Sequence, residues 1–190
     1  MKEGEQLELL DIYDRHRQLT GRLHRRGMPL APGEHILVAC VWVSDGHGRL
    51  LLTLRAPEKL VCPNLWENSG GAVLAGETSR QAIVRELREE TGIQARESEF
   101  LLLETLDSGD AFYDHYFLTH PVALTEIVLQ PGETVAAQWA SLPQVEEMIQ
   151  VGLVAKPIAK QFRCHRPQLE QLVWQGGVAP AGWAAADDRR

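Results

Sequence analysis

The chain of 190 residues has few of the features that define several protein classes. Its three cysteines, Cys40, Cys62 and Cys164, contain no CxxC pair, which indicates reduced thiols rather than a disulfide framework. No apolar run approaches membrane-spanning length, and the opening residues are too charged for a signal peptide. Its 19 basic residues are outnumbered by 26 acidic ones, so no stable binding to nucleic acid or to anionic membranes is expected. We therefore expect a cytoplasmic globular protein.

Sequence patterns divide the chain into three parts. Residues 1–34 predict an N-terminal β-hairpin extension, residues 35–175 interleave short strands with helices as mixed α/β domains do, and residues 176–190 resemble a flexible tail. The strand at 50–55 is expected to return as the hairpin partner of the strand at 35–43, and Pro167 could break the last helix. Strands are predicted at 7–13, 20–24, 35–43, 50–55, 66–69, 100–105, 111–118, 121–129 and 138–140, and helices at 78–91, 142–150 and 157–174.

The helix predicted at 78–91 has two different faces. Thr78 and Gln81 can form a capping box at its start, and Gly92 suits its end. Ile83, Leu87 and Thr91 recur every four residues and form a stripe that can pack on a sheet. The sequence therefore predicts an anchored helix with a second face left for chemistry.

The second face carries three carboxylates. Glu86, Glu89 and Glu90 stand at i, i+3 and i+4, so a helix brings them to one side. Carboxylates placed so closely repel one another unless a cation gathers them, and hard divalent cations prefer such oxygen ligands. A solvated face of mixed charge is the ordinary explanation of such a run. The residues around the run decide between the two interpretations.

The full stretch 71–93, GAVLAGETSRQAIVRELREETGI, matches the Nudix hydrolase signature at every specified position. That signature reads Gx5Ex7REUxEExGU, with U an aliphatic residue, and the resemblance extends through the flanking strand order to about residues 36–150. It implies an α/β/α sandwich with a central mixed β-sheet. It also implies Mg²⁺- or Mn²⁺-dependent cleavage of a nucleoside diphosphate derivative or a similar small-molecule diphosphate. The positions that match are Gly71, Glu77, Arg85, Glu86, Leu87, Glu89, Glu90, Gly92 and Ile93.

The resemblance also implies roles for individual residues. The Gly71 carbonyl and the carboxylates of Glu86, Glu89 and Glu90 are expected to bind metal, and Arg85 is expected to orient a carboxylate. The general base stays open between Glu77, Glu89 and Glu90. Glu133 is a further candidate, since some members of the family recruit a distal glutamate.

Residues outside the signature leave the substrate open. Residues 51–56, LLTLRA, are similar to the start of a coenzyme A pyrophosphatase motif, but Leu60 and Asn64 depart from it. The proline of ADP-ribose enzymes and the array of NADH enzymes are both absent. Arg55 is a candidate for binding phosphate and Trp66 for stacking on a base.

Two other functions are compatible with the same fold. The N-terminal half resembles the isopentenyl-diphosphate isomerase-like branch of the superfamily, whose chemistry needs a cysteine in the segment that matches residues 68–71. This chain has Asn-Ser-Gly-Gly there, and Cys62 lies too early. A non-catalytic ligand sensor is the second alternative, although every carboxylate of the signature is present. A homodimer through the hairpin or the C-terminal helix is also an open expectation.

Overall fold

A computed structural model describes residues 8–174. The predicted tail at 176–190 lies outside these residues. Two short 3₁₀ turns, Glu97–Glu99 and Leu124–Glu126, accompany the regular elements. The strands are β1 (Leu9–Tyr13), β2 (Leu19–Arg25), β3 (Ile36–Ser44), β4 (Arg49–Arg55), β5 (Trp66–Glu67), β6 (Ser69–Ala72), β7 (Leu101–Asp107), β8 (Ala111–Thr119) and β9 (Thr134–Ser141), and the helices are α1 (Ser79–Thr91), α2 (Leu142–Gln150) and α3 (Lys156–Leu172).

The main sheet has seven strands and is mixed. Its path runs β5-β4-β3-β8-β7, with β6 paired to β3 and β9 paired to β4. Strands β3 and β8 are parallel along their whole length, whereas the other pairs are antiparallel. The predicted β3–β4 hairpin is confirmed only near its turn, at Ser44 and Leu50, because β5 then takes the same edge of β4, while β9 pairs along its other edge. The first half of β3 is thereby free to pair with β6, which carries Gly71.

Two apolar clusters cover opposite faces of this sheet. On β3, Leu37, Ala39, Val41 and Val43 join the cluster that holds α1, while Trp42 joins the cluster that holds α2 and α3. Alternate residues of a strand point to opposite faces, so the helices form two outer layers with the sheet between them. The predicted α/β/α sandwich around a mixed sheet is confirmed. No helix within residues 8–174 is long and apolar enough to cross a membrane.

Helix α1 forms as the sequence predicts. The Thr78 side chain accepts a hydrogen bond from the backbone N–H of Gln81, whose own side chain accepts one from the N–H of Thr78. At the other end, Gly92 adopts a left-handed conformation with φ of 74° and donates to the carbonyl of Arg88. The stripe of Ile83, Leu87 and Thr91 is fully buried, which fixes the rotation of the helix on the sheet.

Two predictions of secondary structure are wrong or only partly right. Residues 121–129 form no strand and contain only the turn Leu124–Glu126, although Val122 and Ile127 do pack against the α1 cluster. Apolar residues that anchor a loop therefore gave a pattern similar to that of a strand. Helix α3 continues through Pro167, since Phe162 and Leu169 on either side are fully buried and hold it in place.

The N-terminal hairpin, β1 and β2, is docked on the domain. Arg17 in its turn donates from Nη1 and Nη2 to the two carboxylate oxygens of Asp114, at 2.7 and 2.5 Å. Asp114 lies on β8 and is fully buried. The backbones of Tyr13 and His35 exchange two further hydrogen bonds. The hairpin is thus held against the sheet by an ion pair and by backbone hydrogen bonds. The domain boundaries at 34 and 175 stay predictions.

Candidate active site

Gly71 and Glu86 lie in direct contact where β6 faces α1. A Cβ atom at Gly71 would stand 2.2 Å from Oε1 and 2.8 Å from Oε2 of Glu86, well inside van der Waals contact. Only a residue without a side chain leaves room for the carboxylate in this position. Gly71 and Glu86, two of the expected metal ligands, are therefore in close packing contact, and metal binding by them stays a prediction.

Glu77 is held by a two-pronged ion pair. Arg85 donates from Nε to Oε1 and from Nη2 to Oε2 of Glu77, both at 2.9 Å. The backbone N–H of Leu74 donates to the same Oε2 at 3.1 Å. Burial pushes the pKa of Glu77 upward, but these hydrogen bonds outweigh it and the pKa lies below its usual value. Glu77 is therefore an ionised carboxylate in a fixed position.

Arg85 also reaches the acidic face of its own helix. Its Nη1 donates to Glu86 at 2.8 Å and makes a longer contact of 3.4 Å with Glu89. Its Nη2 donates to the Ala72 carbonyl at 3.2 Å, which ties the helix to β6. The hydrogen bond to Glu77, together with the hydrogen bond and charge of Glu86, raises the pKa of the guanidinium, and the role of Arg85 in orienting a catalytic carboxylate stays a prediction.

Glu90 has a buried carboxyl group whose nearest charged neighbours are other carboxylates. Its carboxylate accepts hydrogen bonds from the Ser69 side chain and the Gly70 backbone, while its Oε2 is buried without a partner. Burial, followed by the charges of Glu67 and Glu86, raises the pKa of Glu90 to about 8. Burial also raises the pKa of Glu86, and Glu89 adds to that effect. This corner of the molecule holds more carboxylates than its own cations neutralise.

The oxygen atoms of these carboxylates are chemically suited to a hard cation, but the side chains do not point toward a common position. Within residues 8–174, no three Asp, Glu, His or Cys side chains are arranged to hold a metal ion as they stand. The reason is that Arg85 draws Glu86 toward itself and Glu90 turns to the backbone of β6. The orphaned Oε2 of Glu90 and the oxygen-only donor set still fit a divalent cation of the Mg²⁺ type.

Arg55 has a partner that the sequence did not suggest. Its Nη1 donates to both carboxylate oxygens of Glu67, at 2.7 and 2.8 Å, and its Nε donates to the Val61 carbonyl. Arg55 is thus engaged within the protein, and its assignment as a phosphate ligand stays a prediction. Glu67 was missed, although it lies four residues before Gly71 and its charge acts on Glu90. Glu67, Ser69 and Gly71 are spaced two residues apart, as residues on one face of a strand are, and this spacing could have indicated that Glu67 lies near the site.

Trp66 and Glu133 occupy different surroundings. Trp66 packs with the α2 and α3 cluster, on the opposite face of β5 from Glu67. Base stacking by Trp66 stays a prediction, and the geometry gives it no support. Glu133 forms an ion pair with Lys59, and its charge acts on Glu67. The distal glutamate therefore lies close enough to the acidic corner to influence it.

A thiol also lies beside the glycines. Cys40 on β3 is the partner of Gly70 in the sheet, and a Cβ at Gly70 would lie 3.0 Å from its Sγ. Burial, with Glu90 as the first charged contributor, raises the pKa of Cys40 to about 12. The segment 68–71 lacks a cysteine as the sequence states, but the neighbouring strand supplies one next to it.

Comparison with known proteins shows the family of this chain. The NUDIX domain model matches residues 34–162, which include the glycines, the helix and all of its glutamates. A Nudix hydrolase of Listeria monocytogenes is 36% identical over 143 residues, which cover 75% of this chain and 85% of that protein. The chain therefore belongs to the Nudix hydrolase family.

Two further comparisons concern a sequence relative and a solved structure. An isopentenyl-diphosphate Delta-isomerase of Saccharopolyspora erythraea is 29% identical over 172 residues, covering 87% of this chain and 82% of that protein. A crystal structure from Deinococcus radiodurans superposes with a TM-score of 0.70 at 22% identity, covering 83% and 98% of the two chains. The structural likeness shows the fold. The similarity to the isomerase agrees with the predicted resemblance to the isomerase-like branch.

Proposed function

We propose that this protein is a divalent-cation-dependent hydrolase that cleaves a diphosphate linkage in a small molecule. The observation that carries the proposal is the acidic corner beside Gly71, where burial and the charges of Glu67 and Glu86 raise the pKa of Glu90, and burial and the charge of Glu89 raise the pKa of Glu86. A protein gains nothing in stability from like charges that remain unbalanced at a partly buried site. Such a cluster of carboxylates is expected where the active protein contains a bound cation that balances their charge.

The residues that would hold Mg²⁺ or Mn²⁺ are the Gly71 carbonyl and the carboxylates of Glu86, Glu89 and Glu90. When bound, the cation supplies charge neutralisation for a diphosphate and lowers the pKa of a bound water. The bare backbone of Gly71 lets the Glu86 carboxylate lie against β6. Arg85 holds the carboxylates of Glu86 and Glu77 in fixed positions through its hydrogen bonds to them.

Among the candidates for general base, the contacts favour Glu89. Both oxygens of Glu77 accept from Arg85, which lowers its pKa and leaves it a weak proton acceptor. Glu90 is buried against β6, and Glu133 is paired with Lys59. Glu89 is 40% exposed and makes only the 3.4 Å contact with Arg85, so its carboxylate can turn toward an attacking water.

Activity assays on a panel of diphosphates test the proposal. Dinucleotides, nucleoside triphosphates, sugar nucleotides, coenzyme A and prenyl diphosphates are incubated with the protein in Mg²⁺ and in chelator. We expect turnover of at least one class in Mg²⁺ alone, and a fall of about 100-fold or more in kcat for Glu90→Gln. Glu126→Gln, at an exposed glutamate in the turn Leu124–Glu126, is the matched control. Turnover that is equal in chelator, or equal in Glu90→Gln, would refute the metal-dependent mechanism.

Cys40 favours one second candidate, an isopentenyl-diphosphate isomerase-like activity. The Cys40 thiol lies beside Gly70, on the strand that pairs with the segment where this chemistry needs a cysteine, although its pKa of about 12 makes it a weaker proton donor than an ordinary thiol. Proton NMR of isopentenyl diphosphate in D₂O would detect isomerisation as deuterium incorporation. Conversion by the wild type that Cys40→Ala abolishes would support this function, whereas no conversion by the wild type would exclude it.

A further inference from the structure

The N-terminal hairpin pairs with the loop that leads into helix α1. In this signature loop, residues 73–77, the backbone N–H of Ala75 donates to the Leu9 carbonyl at 2.8 Å. Leu10 and Leu74 stand opposite each other in an antiparallel bridge, and Leu10 is almost fully buried. Strand β1 therefore lies between β2 and the signature loop, and backbone hydrogen bonding joins the hairpin to the loop.

Asp11 holds the tip of the signature loop. Its Oδ2 accepts a hydrogen bond from the backbone N–H of Gly76 at 2.7 Å, and an ionised acceptor makes such a bond stronger than a neutral one does. The regular alternation of β1 ends at this residue, since Ile12 and Tyr13 are both buried. The register with β2 also shifts between Asp11 and Tyr13. An irregularity of this kind changes the direction of a side chain, and here the Asp11 carboxylate meets the loop.

The signature loop in turn fixes the ion pair of the candidate site. The backbone N–H of Leu74 donates to Oε2 of Glu77 at 3.1 Å, and the N–H of Glu77 donates to the Leu74 carbonyl at 3.0 Å. Glu77 accepts both prongs of Arg85, which also donates to Glu86 at 2.8 Å. A continuous series of contacts thus leads from Asp11 through the loop to Glu86. A displacement of the loop would therefore be passed on to the acidic face of α1.

We propose that Asp11 is a positioning residue of the active site, which holds the ion pair between Glu77 and Arg85 in place through the backbone of the signature loop. The proposal deepens the function given above and rests on it. It gives the N-terminal hairpin, which precedes the family match at residues 34–162, a part in catalysis. Asp11 acts through these groups and not on the substrate itself.

Steady-state kinetics of Mg²⁺-dependent diphosphate hydrolysis test this role. Asp11→Ala removes the acceptor, whereas Asp11→Asn keeps an oxygen that can accept from the N–H of Gly76. We expect Asp11→Ala to lower kcat about tenfold or more with KM within about twofold of the wild type, as the loss of an outer partner of a metal site does. Asp11→Asn should keep kcat within about threefold of the wild type, because the hydrogen bond is weakened but not lost.

Asp14 offers a matched control in the same hairpin. Its Oδ1 accepts from the backbone N–H groups of His16 and Gln18, at 2.8 and 2.9 Å. Asp14→Ala therefore removes a comparable carboxylate from the hairpin's own turn instead of from the signature loop. If Asp11 only stabilised the hairpin, the two alanine variants would act alike. A positioning role predicts the wild-type kcat for Asp14→Ala, and thermal unfolding of each variant checks that the fold is retained.

The side chain of Arg85 gives a readout that needs no turnover. NMR of the ¹⁵N-labelled full-length protein measures the exchange of the Arg85 Nε–H with water. We expect Asp11→Ala to speed this exchange about tenfold or more, because the ion pair opens more often when the loop is loose. Asp11→Asn and Asp14→Ala should both keep the wild-type rate. Should Asp11→Ala fail to fold, Asp11→Leu replaces it, since leucine keeps the size of the side chain without an acceptor.

The outcomes distinguish this proposal from the proposed function. The positioning role is overturned by an unchanged kcat in Asp11→Ala, by equal effects of Asp11→Ala and Asp14→Ala, by a kcat of Asp11→Asn as low as that of Asp11→Ala, or by an unchanged exchange rate of Arg85. If the wild type hydrolyses no diphosphate, the hydrolase function fails instead. The exchange rates of Arg85 then still decide whether Asp11 holds the ion pair.

Discussion

Replacing Gly71 with alanine should separate activity from stability. The new Cβ would stand 2.2 Å from Oε1 of Glu86. An ordinary contact needs more than 3 Å, so the carboxylate must retreat by about 1 Å, a displacement that can cost about 100-fold in rate. The obstructing atoms belong to the end of a flexible side chain, and Gly71 has no left-handed backbone conformation. We therefore expect the free energy of unfolding to change by less than about 1 kcal/mol.

Gly70→Ala is the matched control on the same strand. There the new Cβ would meet the Ala39 carbonyl oxygen at 2.6 Å and the Cys40 Cα at 2.9 Å. These are backbone atoms of the central strand and cannot move aside, so Gly70→Ala should destabilise the fold by about 1–3 kcal/mol. Urea denaturation gives the stabilities, and Mg²⁺-dependent diphosphate hydrolysis gives kcat for both variants.

The double variant Gly71→Ala/Glu86→Gln tests whether the first change acts through Glu86. If it does, the double variant should be no slower than Glu86→Gln alone, because contacting residues are not additive. The reasoning fails if Gly71→Ala keeps the wild-type kcat. It also fails if Gly71→Ala loses as much stability as Gly70→Ala.

Three other predictions follow from the ion pairs and the buried acid. Arg85→Lys cannot make the two-pronged bond to Glu77, and should lower kcat about tenfold or more in the same assay. Arg17→Met leaves the buried carboxylate of Asp114 without its cationic partner and should cost about 3–5 kcal/mol in urea denaturation, part of which Asp114→Asn restores. In chelator, the raised pKa of Glu90 means that the folded protein keeps a proton which the unfolded chain releases above pH 4.5. Stability should therefore fall as pH rises from about 4.5 to about 8, and fall less in Glu90→Gln; parallel pH curves of melting temperature would contradict this.

The parts of this structure that the sequence predicts well are those set by local interactions. The cap at Thr78, the terminating Gly92 and the stripe through Leu87 depend on residues within a few positions of one another. The segment 121–129 fails for the opposite reason. Val122 and Ile127 are partly buried against the distant α1 cluster, and the backbone N–H of Val128 donates to the Thr91 carbonyl rather than to a neighbouring strand.

The contacts of the candidate site also divide into those within one stretch of sequence and those between distant parts of the chain. The signature residues follow from one continuous stretch, and the contact of Arg85 with Glu77 lies within it. The pairs Arg55–Glu67 and Lys59–Glu133, in contrast, depend on how β4 aligns with β5 and β9. Strand register is decided by the whole sheet, so neither pair can be read from the spacing of the residues along the chain.

The most direct test of the account is a calorimetric titration of the metal-free protein with Mn²⁺. The acidic corner should bind the ion, and Glu86→Gln and Glu90→Gln should each weaken binding about tenfold or more, whereas Glu126→Gln should bind as the wild type does. If the wild type binds no Mn²⁺, or if all four proteins bind it equally, the carboxylates beside Gly71 are not a metal site and the proposed function loses its basis.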